Sequence, residues 1–164
     1  MTKKISILSL FSAFAIILSY IESFFPVIGI PGVKLGLANL AVVLAMYLLG
    51  YKEAFFINII RIILVGAMFG NLFGILFSIS GAAISFVAMA LLKMTKKFSI
   101  VSVGIVGGVF HNIGQIVVAA FVVDTFNVIV YVPILIFSGI ITGLIIGILV
   151  QIIYSRTKNI FMKI

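Results

Sequence analysis

The sequence predicts an all-α integral membrane protein of six transmembrane helices with both termini in the cytoplasm. Three observations carry that expectation. First, 65% of the 164 residues are hydrophobic and only 9% charged, with a mean hydropathy of +1.48. A soluble domain is about half apolar and about a quarter charged, and a water-soluble core of this size cannot enclose so many apolar side chains. Second, the apolar residues fall in runs close to the roughly 20 residues that cross a hydrocarbon layer. Third, the 11 Lys and Arg, against 3 Asp and Glu, cluster at the ends of those runs, as orientation signals do. A net charge of +8 on a soluble chain would suggest nucleic acid. Placed at run ends it does not, and no nucleic-acid partner is expected.

The chain reads as one domain, residues 1–164. The first helix is expected over 5–25, after Lys3 and Lys4. It is longer than the apolar region of a signal peptide, and Glu22 stands where a cleavage site needs small residues, so a retained helix is expected. Pro26, Gly29, Pro31 and Gly32 then break the pattern into a loop. A second helix is expected over 35–50, ending at Tyr51-Lys52-Glu53. From Ala54 to Leu92 the sequence is almost unbroken; roughly 40 helical residues would measure about 60 Å, twice a membrane. It therefore folds back near Gly66 to Asn71, giving helices over 54–68 and 71–92. A basic stretch from Lys93 to Lys97 leads to the fifth helix, 98–123. Asp124 to Asn127 make a turn, and the sixth helix, 128–154, precedes Arg156, Lys158 and Lys163.

Six crossings place Lys3, Lys4, Lys52, Lys93, Lys96, Lys97, Arg156, Lys158 and Lys163 on one side, nine of the eleven basic residues. A single crossing over 54–92 would keep only Lys3, Lys4 and Lys52 there. The bias of cytoplasmic loops towards Lys and Arg selects six, and a cell-membrane location follows.

Small residues recur at helical spacing: Gly139, Gly143 and Gly147; Gly70, Gly74 and Ser78; Gly104 and Gly108. Such stripes let helix backbones approach closely where lipid removes the hydrophobic drive. On the first helix, Ser9 with Ala13 and Ala15 with Ser19 offer small faces for internal packing or for a second membrane subunit. No internal repeat or inverted pair of halves is visible.

Polar residues within apolar runs mark function or pairing, because a charge in mid-membrane costs about 2.5–3.5 kcal/mol. Arg61 is the clearest, with Asn58 three residues earlier. It either pairs with Glu22 or Asp124 to stabilise the bundle or supplies charge to a ligand. On the fifth helix His111, Asn112 and Gln115 interrupt an apolar run beside Gly107, Gly108 and Gly114, and His111 and Gln115 share a face. Glu22, Lys34, Asn39, Asn71 and Asp124 fall nearer the outer surface. The expected site is a pocket open to the outside. Lys34, Asn39, Arg61, His111, Asn112 and Gln115 are its ligand contacts, and Glu22, Asn71 and Asp124 its rim. The cations Lys34 and Arg61 suit an anionic group on a small-molecule substrate.

Several chemistries are excluded. No Gly-x4-Gly-Lys-Ser/Thr phosphate loop is present. The three acidic residues stand far apart, whereas a Mg²⁺-dependent prenyl or phosphoryl transferase needs several carboxylates around its metal. One His and no Cys cannot build a zinc site. No enzyme activity, metal or cofactor is expected.

The segment Pro31-Gly32-Val33-Lys34-Leu35-Gly36-Leu37-Ala38-Asn39, with Arg61 and with His111-Asn112-Ile113-Gly114-Gln115, resembles a membrane family labelled heptaprenyl diphosphate synthase component I, also called the Gx transporter family. That family is similar to the substrate-binding S components of energy-coupling factor transporters. The resemblance implies a six-helix S-component-like bundle that captures a vitamin-like, anionic or isoprenoid-related compound from outside. It implies a transmembrane coupling subunit and separate cytoplasmic ATPases as partners, and a lid over 26–32. S components commonly carry an Ala-x-x-x-Ala docking face on the first helix; the nearest equivalents are Ser9/Ala13 and Ala15/Ser19. The synthase label implies an alternative, a non-catalytic membrane partner in heptaprenyl diphosphate or quinone synthesis, since a single Asp cannot supply aspartate-rich motifs. A standalone secondary transporter would need a polar exit path through the inner half, which the sequence lacks.

Overall fold

A computed structural model of the chain describes residues 2–24, 36–69, 72–122 and 130–161. These form six helices: α1 (Thr2–Ser23), α2 (Asn39–Leu48), α3 (Tyr51–Phe69), α4 (Leu72–Met94), α5 (Ile100–Val122) and α6 (Val132–Phe161). Helices satisfy every internal backbone N–H and C=O without water, which a chain this apolar requires. Among the described residues α1, α4, α5 and α6 are long and apolar enough to cross a membrane.

The two remaining helices differ from the sequence expectation in instructive ways. The second apolar run, expected over 35–50, is helical only for ten residues, about 15 Å. Gly36 at φ 84° turns the chain before it and Gly50 at φ 118° ends it, both conformations that glycine adopts without strain. Nearly all of α2 is buried, from Asn39 to Met46. It is a core rod rather than a lipid-facing span. α3 has the length of a crossing but carries Lys52, Glu53 and Arg61. α6 extends past the expected residue 154 to Phe161, because apolarity marks depth in lipid and does not end a helix. Its start places Pro133 in the first turn, where a missing N–H costs nothing. The expected loop at 26–32, with Lys34, Asn71, Asp124 and Lys163, lies outside the described residues.

Contacts between helix ends fix the topology. Lys4 pairs with Glu53 at 2.6 Å, joining the starts of α1 and α3. The Lys93 ammonium donates to the Met46 carbonyl, joining the ends of α4 and α2, and lies 4.8 and 4.3 Å from the Tyr47 and Tyr51 ring centres. Tyr47 and Tyr154 meet at 5.8 Å, joining the ends of α2 and α6, while Gly147 packs on Val101 at the start of α5. Successive helices therefore alternate in direction. One end of the bundle collects Lys3, Lys4, Lys52, Lys93, Lys96, Lys97, Arg156 and Lys158, and Arg61 alone of the described basic residues lies mid-helix.

The tightest seams are α5 against α6 and α4 against α5. A methyl group on Gly108 would lie 2.3 Å from the Gly139 carbonyl oxygen, one on Gly143 2.5 Å from that of Gly104, and one on Gly114 2.7 Å from that of Ser80. The Gly104/Gly108 and Gly139/Gly143/Gly147 stripes thus pack closely, as expected, and do so against each other. On α4 the contact with α5 is made at Gly81, three residues beyond the buried Ser78 of the predicted stripe. The outer surface is the reverse of a soluble protein's: Phe121 is 80%, Val130 78% and Leu72 69% exposed. Surfaces of that kind belong in lipid or against a partner.

The α5–α6 seam yields a direct test. Gly108→Ala forces backbone against backbone and lowers stability by about 1–3 kcal/mol, read as a lower thermal midpoint in detergent. Val117→Ala, on the exposed face of α5, changes stability by no more than about 0.5 kcal/mol.

Candidate functional site

Polar atoms gather where α1 ends, α2 begins, and α3 and α5 pass mid-length. The start of α2 lies inside the bundle, where its free N–H groups need partners. Ala38, the residue before the helix, offers no side-chain acceptor. The turn instead closes on itself, with Asn39 N–H to Gly36 O at 2.8 Å and Leu40 N–H to Leu37 O at 3.0 Å. Two further N–H groups of the turn reach across to α1: Gly36 and Leu37 both donate to Glu22 Oε1, the second at 3.2 Å. A buried carboxylate thus sits at the positive end of a buried helix, the sign its dipole favours.

Arg61 supplies the opposite charge. It is buried in mid-α3, with Nη2 donating to Asn58 Oδ1 at 2.7 Å and Nη1 to Ser19 Oγ at 3.3 Å. The Ser19 hydroxyl donates to Ala15 O at 2.9 Å. Glu22 lies three residues beyond Ser19 on α1, so the two buried groups of opposite sign share this part of the bundle. Arg61 Nε, however, has no partner among the described residues.

The second half of the cluster is built on α5. His111 Nε2 and Gln115 Nε2 lie 3.1 Å apart, one helical turn from each other. Gly81 admits them: a methyl group there would lie 2.9 Å from Gln115 Cγ and 3.0 Å from His111 Cε1. Across the imidazole stands Gly36, whose added methyl would meet Asn39 Nδ2 at 3.1 Å and His111 Cδ2 at 3.4 Å. Gly36 therefore joins the two halves, its N–H on Glu22 and its open side on Asn39 and His111. Asn112 faces α6 and donates Nδ2 to Leu135 O at 2.8 Å. That bond fixes the amide and leaves Oδ1 buried without a partner among the described residues, like Asn39 Nδ2 and Ser85 Oγ.

A buried polar atom left unsatisfied costs about 1–3 kcal/mol. Arg61 Nε and Asn39 Nδ2 are both donors, the complement of a carboxylate or phosphate oxygen. Asn112 Oδ1 is an acceptor, and Ser85 Oγ can be either. This chemistry binds and orients. Among the described residues no group of three or more His, Cys, Asp or Glu comes together to hold a metal.

Of the predicted contacts, Asn39, Arg61, His111, Asn112 and Gln115 are all buried in this half of the bundle, with Glu22 from the predicted rim. Lys34 and the rim residues Asn71 and Asp124 are outside the described residues. One expectation needs correction. Ala15 and Ser19 are buried, because they face α2 and α3 and Ser19 holds Arg61, so they are no docking face; Ser9 and Ala13 point outward. The roles of Ser19 and Gly36 and the burial of Ser85 were not read from sequence. The i, i+3 spacing to Arg61 signals Asn58, whereas a lone serine in an apolar run signals nothing.

The sequence model of the family described as heptaprenyl diphosphate synthase component I matches residues 11–153. No curated protein and no solved structure matches the chain.

The Glu22–Arg61 relation is measurable. Glu22→Ala strands a buried cation and two backbone donors, and Arg61→Met strands a buried carboxylate; each loses about 3–5 kcal/mol. The double variant is expected to lose less than the sum, by about 0.5–3 kcal/mol, in chemical unfolding in detergent. Strict additivity would mean that the two charges do not interact.

Proposed function

The chain belongs to the heptaprenyl diphosphate synthase component I family, and from that premise we propose that it is a membrane-embedded substrate-binding subunit of an energy-coupling-factor-type uptake transporter. In this reading it captures a small vitamin-like, anionic or isoprenoid-related compound from outside. The chain makes six crossings, one for each helix, and the basic end with both termini faces the cytoplasm of a cell membrane. The polar cluster then lies in the outward half. The observation that carries the proposal is the pair of buried donors, Arg61 Nε and Asn39 Nδ2, left without partners among the described residues. Arg61 supplies charge, and Asn39, His111, Asn112 and Gln115 orient the ligand, with Lys34 as a second cation.

The chain is not an enzyme in this reading, since Glu22, Glu53 and Asp124 are its only carboxylate side chains and Glu22 is committed to the backbone. Energy comes from a transmembrane coupling subunit and cytoplasmic ATPases. The outward Ser9/Ala13 face of α1 is the small-residue surface left for docking. The family description itself favours a second reading, a non-catalytic membrane partner in heptaprenyl diphosphate synthesis.

Two measurements separate these readings. Thermal-shift screening of the purified protein against carboxylated vitamins and prenyl diphosphates is expected to find a stabilising compound. Arg61→Ala then weakens its binding by more than about tenfold, the loss of one charge-assisted hydrogen bond; unchanged binding removes Arg61 from the site. Affinity purification from native membranes recovers a coupling subunit and ATPases if the transport reading holds. Recovery of a soluble prenyl synthase instead selects the second reading.

A further inference from the structure

Outside the polar cluster, α1 and α6 leave a groove towards the basic end of the bundle. Leu10 and Phe14 of α1 form one wall, Ile153 and Thr157 of α6 the other, and Leu44 and Leu48 of α2 the floor. Its volume is about 330 Å³, within the ligand-sized range of about 300–1,000 Å³. The backbones of α1 and α6 do not pack along this seam. They touch through Phe11 and Phe161, whose rings meet edge-on at 6.0 Å. The one hydroxyl in the lining, Thr157 Oγ1, donates to Ile153 O, so the groove presents hydrocarbon. Its walls lack dispersion partners unless an apolar chain lies between them.

The mouth is cationic. Arg156 and Lys158 flank Thr157 on α6 and are exposed. Lys3 is exposed and lies two turns before Leu10 on the same face of α1, while Lys4 is engaged by Glu53 at 2.6 Å. A hydrocarbon slot with basic side chains at its mouth complements an apolar tail bearing an anionic head. From this juxtaposition we propose that the α1–α6 groove is a binding site for an anionic glycerophospholipid, one acyl chain on Leu44 and Leu48 and the phosphate at Arg156 and Lys158. The site stands apart from the polar cluster and holds whichever function that cluster serves. It fills the seam between two helices that otherwise meet only through side chains.

Native mass spectrometry of the detergent-purified full chain tests this, using an equimolar mixture of phosphatidylglycerol and phosphatidylcholine with identical acyl chains. Phosphatidylglycerol is expected to be retained with about tenfold preference, as two cations near a headgroup provide. The double variant Arg156→Ala/Lys158→Ala loses the preference while keeping its helical circular dichroism and thermal midpoint. Leu10→Trp, which narrows the mouth, loses retention of both lipids. Equal retention by the wild type, or a preference that survives the double variant, overturns the proposal. Displacement of phosphatidylglycerol by equimolar farnesyl diphosphate also overturns it, by giving the groove to an isoprenoid.

Discussion

A helix that begins inside an apolar bundle must find partners for its first N–H groups; here a turn that closes on itself supplies them, and one carboxylate holds that turn. Glu22 accepts from Gly36 and Leu37, which allows α2 to start at mid-depth instead of at the surface. Burying that carboxylate calls for a compensating cation, and Arg61 is buried on the neighbouring helix, bonded to Ser19 three residues before Glu22. Arg61 in turn draws in Asn58 and Ser19. The polar interior is thus a chain of consequences rather than a scatter of exceptions. Each member answers a group that lipid cannot solvate.

The rest of the bundle keeps that arrangement in place. α4, α5 and α6 form a slab closed by glycine against backbone, and this slab holds His111, Asn112 and Gln115 at fixed depth. α1 and α3 carry the buried charges Glu22 and Arg61, and α2 packs with its side chains enclosed. The glycine seams leave little freedom for α5 to shift. At the end of α2 opposite Gly36, Lys93 closes the helix by donating to the Met46 carbonyl and lying over two tyrosine rings, so α2 is held at both ends by side chains of other helices.

Much of this was legible in the residues. Run lengths and the placement of basic residues predict six helices of alternating direction. Glycine spacing on α5 and α6 predicts that both pack closely inside the bundle, though not that they pack on each other. The polar residues that lipid should exclude identify Asn39, Arg61, His111, Asn112 and Gln115. What the sequence hides is depth and facing. Apolarity over 35–50 does not reveal that only Asn39–Leu48 is helical, because a buried rod and a lipid-facing span have the same composition. Ser19 resembles a small docking residue until its hydroxyl is found on Arg61, since small-residue spacing is the same on an inner and an outer face. Glu22 looks like rim because its partners are backbone groups fourteen and fifteen residues away, which no side-chain pattern records.

Function in this account depends on orientation: the basic end inside, the polar cluster in the outward half. The chain has no cysteine, so single cysteines report accessibility without background. Phe24→Cys and Val130→Cys lie at the end opposite the basic residues, and Lys96→Cys lies among them; all three positions are exposed. In intact cells a membrane-impermeant thiol reagent is expected to label the first two, and Lys96→Cys only after permeabilisation. Labelling of Lys96→Cys in intact cells, with Phe24→Cys and Val130→Cys protected, would place the polar cluster in the cytoplasmic half and contradict capture from outside.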